Sequence, residues 1–147
     1  MIRGMSIQEA LVRHVREEGS VMNIVLWVFQ VLLAVAFFAH GAMMVAPPAA
    51  IAAQMNASLP RWFQLFLGIA ELLAAVGLVL PALTRIKPWL VSWAAGGIII
   101  VMVSATLYHL VRGEVSSAVT TLILLAMAVF VAYMRSRVMP IGVRRAA

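Results

Sequence analysis

The sequence predicts an all-α membrane protein: an antiparallel four-transmembrane-helix bundle with a short N-terminal amphipathic interfacial helix. Three observations carry this. Of 147 residues, 65% are hydrophobic and 11% charged, with mean hydropathy +1.06. A soluble domain has about 25% charged and at most ~50% apolar residues. Four apolar runs follow one another, each near the ~20 residues that cross a bilayer as a helix. Prolines and basic residues fall in the gaps between them. No water-soluble fold of this size hides so much apolar surface, so lipid solvates part of it. One domain is the natural unit at this length.

Residues 1–22 precede the first run. Ser6-Ile7-Gln8-Glu9 has capping-box spacing, and Gly19 suits the position just past a helix end. Ile7, Ala10, Leu11 and Val15 share one face, while Arg13, Arg16 and Glu17 lie elsewhere. This segment is expected to lie on the cytoplasmic membrane surface. A partly frayed polar tail is the alternative. The first span covers about 23–46 and stops at Pro47-Pro48. It is too long for a signal-peptide core and follows a partly acidic segment, so it reads as a retained helix.

In the next loop, Ala49–Gln54 suits a short re-entrant or interfacial turn, and Asn56-Ala57-Ser58 matches a glycosylation sequon by three residues alone. The second span covers about 62–80, between Pro60 and Pro81, and the third about 89–111, after Pro88. The fourth covers about 117–134, leaving 135–147 as a basic cytoplasmic tail. Short connections make spans two and three, and three and four, neighbours.

Basic residues orient the spans. Arg3, Arg13, Arg16, Arg85, Lys87, Arg135, Arg137, Arg144 and Arg145 fall on one side, and only Arg61 and Arg112 on the other. The positive-inside rule puts both termini in the cytoplasm of a bacterial-type inner (plasma) membrane crossed four times. Trp62, Trp89 and Tyr133 stand at span ends, where amphipathic rings prefer the interface. The net charge of +6 is spent at these membrane edges, which argues against a nucleic-acid partner. The chain has no Cys, which excludes disulfides, thiolate metal sites and dithiol redox chemistry.

Glu71 is the most informative residue. It lies near the bilayer centre, ~13 Å from the outer end of its span at 1.5 Å per residue. A carboxylate there costs at least ~2.5 kcal/mol and usually faces the bundle interior with a partner. Gln64, Gly68, Glu71 and Ala75 form one stripe; Phe66, Ile69, Leu73, Val76 and Leu80 form the opposite one. Small and polar residues inward, large aliphatic residues to lipid, is how membrane helices pack. His40 and His109 fall in the outer half of spans one and three. With Glu71 and Gln64 they are expected to line an outward-opening pocket, to which Ser104, Thr106 and Tyr108 add hydroxyls. Imidazole and carboxylate together relay protons or bind a quinone carbonyl.

The plainer alternatives stay open. Glu71 as a neutral acid bonded to a neighbouring helix, and the histidines bonded to backbone or lipid, need no function. A metal held by His40, His109 and Glu71, or a haem bracketed by the two histidines, has no spacing motif behind it. Asn23, Gln30, Ala34 and Gly41 on span one, and Ala94 to Gly97 on span three, read as helix contacts. The ten methionines are scattered filler.

The chain resembles the DoxX-like family of small four-helix membrane proteins. The resemblance rests on Ala39-His40-Gly41, on the run from Gly68 through Glu71 and Gly77-Leu78 to Pro81, and on Tyr108-His109 followed by Arg112-Gly113-Glu114. It spans roughly 23–135 and leaves residues 1–22 and the arginine-rich tail outside. It implies a four-helix antiparallel bundle, with His40, Glu71 and His109 at the family's recurrent polar positions. The family includes a membrane subunit of thiosulfate–quinone oxidoreductases and partners in oxidative-stress complexes, and more distant relatives are chaperones for other membrane proteins. The lack of Cys departs from any thiol-based member.

Two functions follow as expectations. One is a redox-linked subunit with no intrinsic cofactor that binds quinone, or a small sulfur or aromatic substrate, with Glu71 handling protons and His40, Gln64, His109 and Tyr108 binding the ligand. The other is a non-enzymatic accessory or assembly subunit of a larger membrane complex. The expected surroundings are lipid, with other membrane or redox subunits or further copies of the chain as partners. A transporter lacks the usual inverted repeat or broken helix. The absence of nucleotide and flavin fingerprints argues against a standalone enzyme.

Overall fold

The computed structural model describes residues 7–142, without the side chains of Ala10, Val12 and Val15. Ser6 of the expected capping box, Arg3, Arg144 and Arg145, and the faces of Ala10 and Val15 therefore lie outside the described residues. Five α-helices follow in order: α1 (Ile7–Val45), α2 (Ala49–Ser58), α3 (Arg61–Thr84), α4 (Leu90–Val111) and α5 (Val115–Tyr133). A π-helical turn, Met134–Val138, extends α5. Four of the helices are long and apolar enough to cross a membrane, by length and composition.

The expected boundary at Gly19 is absent: α1 runs unbroken through it for 39 residues. A single helical Gly costs about 1 kcal/mol relative to Ala. A break would leave four orphan donors and four orphan acceptors at two new ends. Pro81 likewise does not end α3, which runs one turn further to Thr84. The missing N–H removes one bond to the preceding turn, but the chain stops only where Arg85 enters the left-handed region at φ 58°. The expected turn at Ala49–Gln54 is the first part of α2, an alanine-rich helix that starts directly after Pro47-Pro48.

The stripe read on the second span holds. Gln64, Gly68, Glu71 and Ala75 are buried, while Phe66, Ile69, Leu73, Val76 and Leu80 are exposed on the opposite face. Small residues bring α1 and α3 together. A Cβ on Gly68 would stand 2.8 Å from the Gly41 carbonyl oxygen, and one on Gly41 the same distance from that of Gly68. Only glycine on both helices permits this approach. Below the crossing, Gln30 Nε2 donates to Leu78 O at 2.7 Å. Positions rise along α1 as they fall along α3, the register of antiparallel neighbours.

The helices group as two hairpins, α1 with α3 and α4 with α5. Gly77 and Ala94 join them closely, with a Cβ on Gly77 only 2.9 Å from that of Ala94. Phe29 meets Phe130 edge-on at 5.4 Å. Leu33, Phe37, Leu78, Val91, Ile98 and Val131 are part of the buried core. Gly96 and Gly97, expected at a helix contact, face open space instead, with nothing within 4 Å of a Cβ at either. The packing of α4 runs through Val91, Ala95, Ile98 and Met102. Its glycines floor a shallow groove beside Trp93 and Tyr133.

Candidate functional site

The two hairpins are fastened at the end that carries the α3–α4 connection and part at the other. Between them at that second end lies a cleft of about 780 Å³. Its walls are mostly apolar, including Phe37, Phe63, Phe66, Leu67, Ile100 and Leu124. His40 and Glu71 line one wall, and Tyr108, His109 and the hydroxyl residues Ser104 and Thr121 line another part.

The Gly41–Gly68 crossing sets up the first wall. Glu71 lies one turn from Gly68 along α3, and its Cβ would be 3.1 Å from a Cβ on Gly41. His40, the residue before Gly41, therefore reaches the carboxyl: His40 Nδ1 and Glu71 Oε2 are 2.6 Å apart. Glu71 is 2% exposed, whereas His40 is open to the cleft. An acid so deeply buried requires such a partner.

His109 does not join this pair. Its Nδ1 lies 2.6 Å from Oε2 of Glu114, just beyond the end of α4. Arg112 Nε donates to the other oxygen, Glu114 Oε1, at 2.7 Å. The guanidinium also stands over the Tyr108 ring, 5.3 Å from its centre. The hydrogen bond from Arg112, and then that with His109, holds the Glu114 carboxyl below the usual carboxylate range. The expected meeting of Glu71 with both imidazoles is thus replaced by two separate histidine–carboxylate pairs. Glu114 stood in the sequence only as part of a short turn. Gly113, at φ 72°, folds it back so that its N–H donates to His109 O at 2.9 Å.

Gln64 is not on the cleft wall. Fully buried, its Nε2 donates to Leu59 O at 2.7 Å, and to Met55 O and Asn56 Oδ1 at 3.1 Å. It ties α2 to the start of α3, and the Asn56 carbonyl is engaged there. Beside it, Arg61 donates to Met44 O at 2.8 Å and to Val45 O, satisfying carbonyls that α1 leaves open at its C-terminus. Ser104 and Thr106 donate back to their own helix, and the hydroxyls of Thr106 and Thr121 are hydrogen-bonded at 2.8 Å across to α5.

Sequence reasoning missed Arg135, which it placed in the cytoplasmic tail. The structure buries it to 6% exposure between α5 and α1. Its Nε donates to Gln30 Oε1 at 2.7 Å and its Nη1 to Asn23 Oδ1 at 2.9 Å, while Nη2 has no partner among the described residues. The π-helical turn carries it, and such turns redirect side chains. The usable signal was Asn23 and Gln30, two amides seven residues apart on one face of an apolar helix.

Among the described residues no group of three or more His, Cys, Asp or Glu is arranged to hold a metal ion. The spans and the buried acid define a small helical membrane protein with a polar site inside its bundle. The chain belongs to the DoxX-like family, whose model matches residues 28–131. That match takes in both histidine–carboxylate pairs and leaves out the first turns of α1 and Arg135. No curated protein and no solved structure matches the chain.

Proposed function

We propose that this protein is a redox-linked membrane subunit that binds quinone, or a small sulfur or aromatic substrate, in the cleft between its hairpins. The observation that supports this is the His40–Glu71 pair on the wall of an otherwise apolar cleft. The apolar walls suit a ring or an alkyl body, and the imidazole offers one hydrogen bond to orient it. Glu71 holds a proton away from solvent, and His40 passes it between that acid and the cleft. The protein brings no cofactor of its own in this reading; quinone is its ligand. Binding of a short-chain quinone to protein in nanodiscs tests it. Glu71→Gln and His40→Ala each weaken binding about tenfold, the equivalent of about 1.4 kcal/mol. Unchanged affinity in both variants overturns the reading.

The same reading places both termini in the cytoplasm of a bacterial-type inner membrane, with the cleft in the outer half. Arg13, Arg16, Arg85, Lys87, Arg135 and Arg137 at one end, against Arg61 and Arg112 at the other, support it. The chain has no native Cys, so single cysteines at Ser20 and Ala57 report sidedness cleanly. An impermeant thiol reagent added to whole cells labels Ala57→Cys and spares Ser20→Cys; the reverse pattern refutes the orientation.

A second reading is an accessory or assembly subunit of a larger membrane complex. The first turns of α1 favour it: Ile7 and Leu11 are exposed one turn apart on a helix that outruns its span. Gentle-detergent affinity purification retains a stoichiometric partner that Ile7→Glu/Leu11→Glu releases. Recovery of the chain alone counts against it.

A further inference from the structure

We propose that the cleft is a two-point site, in which one ligand bridges the two hairpins through His40 on α1 and His109 on α4, with Glu114 positioning the second contact. This rests on the ligand-binding reading above and deepens it. The two walls repeat one construction. On each, a carboxylate oxygen lies 2.6 Å from an imidazole Nδ1: Glu71 for His40, Glu114 for His109. A carboxyl group on Nδ1 fixes the ring's orientation and leaves Nε2 for a ligand. A carbonyl oxygen is matched when that nitrogen carries a proton, which for His109 beside an ionised Glu114 is the imidazolium form. Neither Nε2 has a protein partner among the described residues.

The second pair is more than a turn lock. The α4–α5 turn is already closed by its backbone, with Gly113 N–H donating to Leu110 O at 3.1 Å and Glu114 N–H to His109 O at 2.9 Å. Arg112 occupies the far oxygen of Glu114, which aims the carboxylate and keeps it ionised. Both imidazoles line the same cleft, with Phe37, Phe66, Ile100 and Leu124 among the apolar residues of its walls. The matching ligand has an apolar body with a hydrogen-bonding oxygen at each of two opposite ends. A cleft of about 780 Å³ admits a fused ring of that kind. A ligand with one polar end would leave the second imidazole facing apolar surface, unpaired.

The test compares 1,4-naphthoquinone with 1-tetralone, of similar shape and one carbonyl, binding to the full chain in nanodiscs by tryptophan quenching. Unaltered protein binds naphthoquinone about five- to tenfold more tightly than tetralone. His109→Ala and Glu114→Ala each remove most of that preference, weakening naphthoquinone while leaving tetralone nearly unchanged, and Glu114→Asp restores part of it. A merely structural role for Glu114 would weaken both ligands alike, and that result overturns the proposal. So does equal affinity of the two ligands for unaltered protein. If His40→Ala weakens both ligands while His109→Ala and Glu114→Ala weaken neither, the two-point site falls and single-point binding at His40–Glu71 stands. If no variant weakens naphthoquinone, both fall.

Discussion

Glycine at 41 and 68 decides where the site can exist. A methyl group on Gly68 would press within 3 Å of Gly41 O, Val45 and Met44, most of them backbone or branched atoms with little room to move. Gly68→Ala is expected to destabilise the bundle by about 1–3 kcal/mol and to weaken cleft ligands, because it parts His40 from Glu71. Thermal unfolding in detergent, together with ligand affinity, measures both effects. At Glu114 the expectation concerns pH. Its carboxyl is held below the usual range in the folded chain, so the stabilisation is complete above that range and disappears as pH falls through the folded value. Glu114→Gln therefore melts lower than the unaltered protein at neutral pH, and the gap closes on acidification below about pH 4. A gap independent of pH contradicts this. The central acid and both imidazoles were legible in the sequence because an ionisable group inside an apolar run has few innocent explanations. Their pairing was not. Whether His109 meets Glu71 or Glu114 depends on the fold of a turn through Gly113, a detail that no span periodicity encodes.

At the scale of elements, two polar side chains fasten helices to one another. Gln64 joins α2 to α3, so Gln64→Leu is expected to cost about 1–3 kcal/mol and to speed amide exchange in α2 while leaving cleft binding intact. A loss of ligand affinity at unchanged α2 exchange would restore Gln64 to the binding set. Arg135 joins α5 to α1 through neutral amides and has no acidic partner in its hydrogen bonds. Removing an amide leaves a buried cation under-satisfied, whereas removing the cation leaves only neutral groups. Gln30→Leu is therefore expected to cost about 3 kcal/mol, more than Arg135→Met, and the double variant recovers part of the loss. Equal costs, or a worse double variant, would show that the charge is not the issue. Helix boundaries were read to within a few residues where prolines and apolar runs agree. They failed at Gly19 and Pro81, where helix continuity outweighed a local breaker. Arg135 was misread because a basic residue after an apolar run looks like tail, and its burial depends on Asn23 and Gln30 more than a hundred residues earlier.

Across the whole molecule, the polar inventory divides by depth. One end is bolted by Arg135, Gly77–Ala94 and Phe29–Phe130. The other carries the cleft, with a histidine–carboxylate pair on each hairpin. A bundle fastened at one end and parted at the other can admit an apolar ligand without giving up its core. The composition made the membrane assignment plain, since lipid must cover the stripes that Ile69, Leu73 and Leu80 represent. The division into two hairpins was not legible, because it rests on which small residues touch, and Gly96 and Gly97 turned outward where Gly41 and Gly68 turned inward. In the proposed function, the His40–Glu71 pair senses what enters the cleft. Infrared difference spectra recorded as a short-chain quinone is washed on and off the protein read that directly. A carboxyl or carboxylate band that shifts with quinone and vanishes in Glu71→Gln is the predicted result; spectra identical in the two proteins would contradict it.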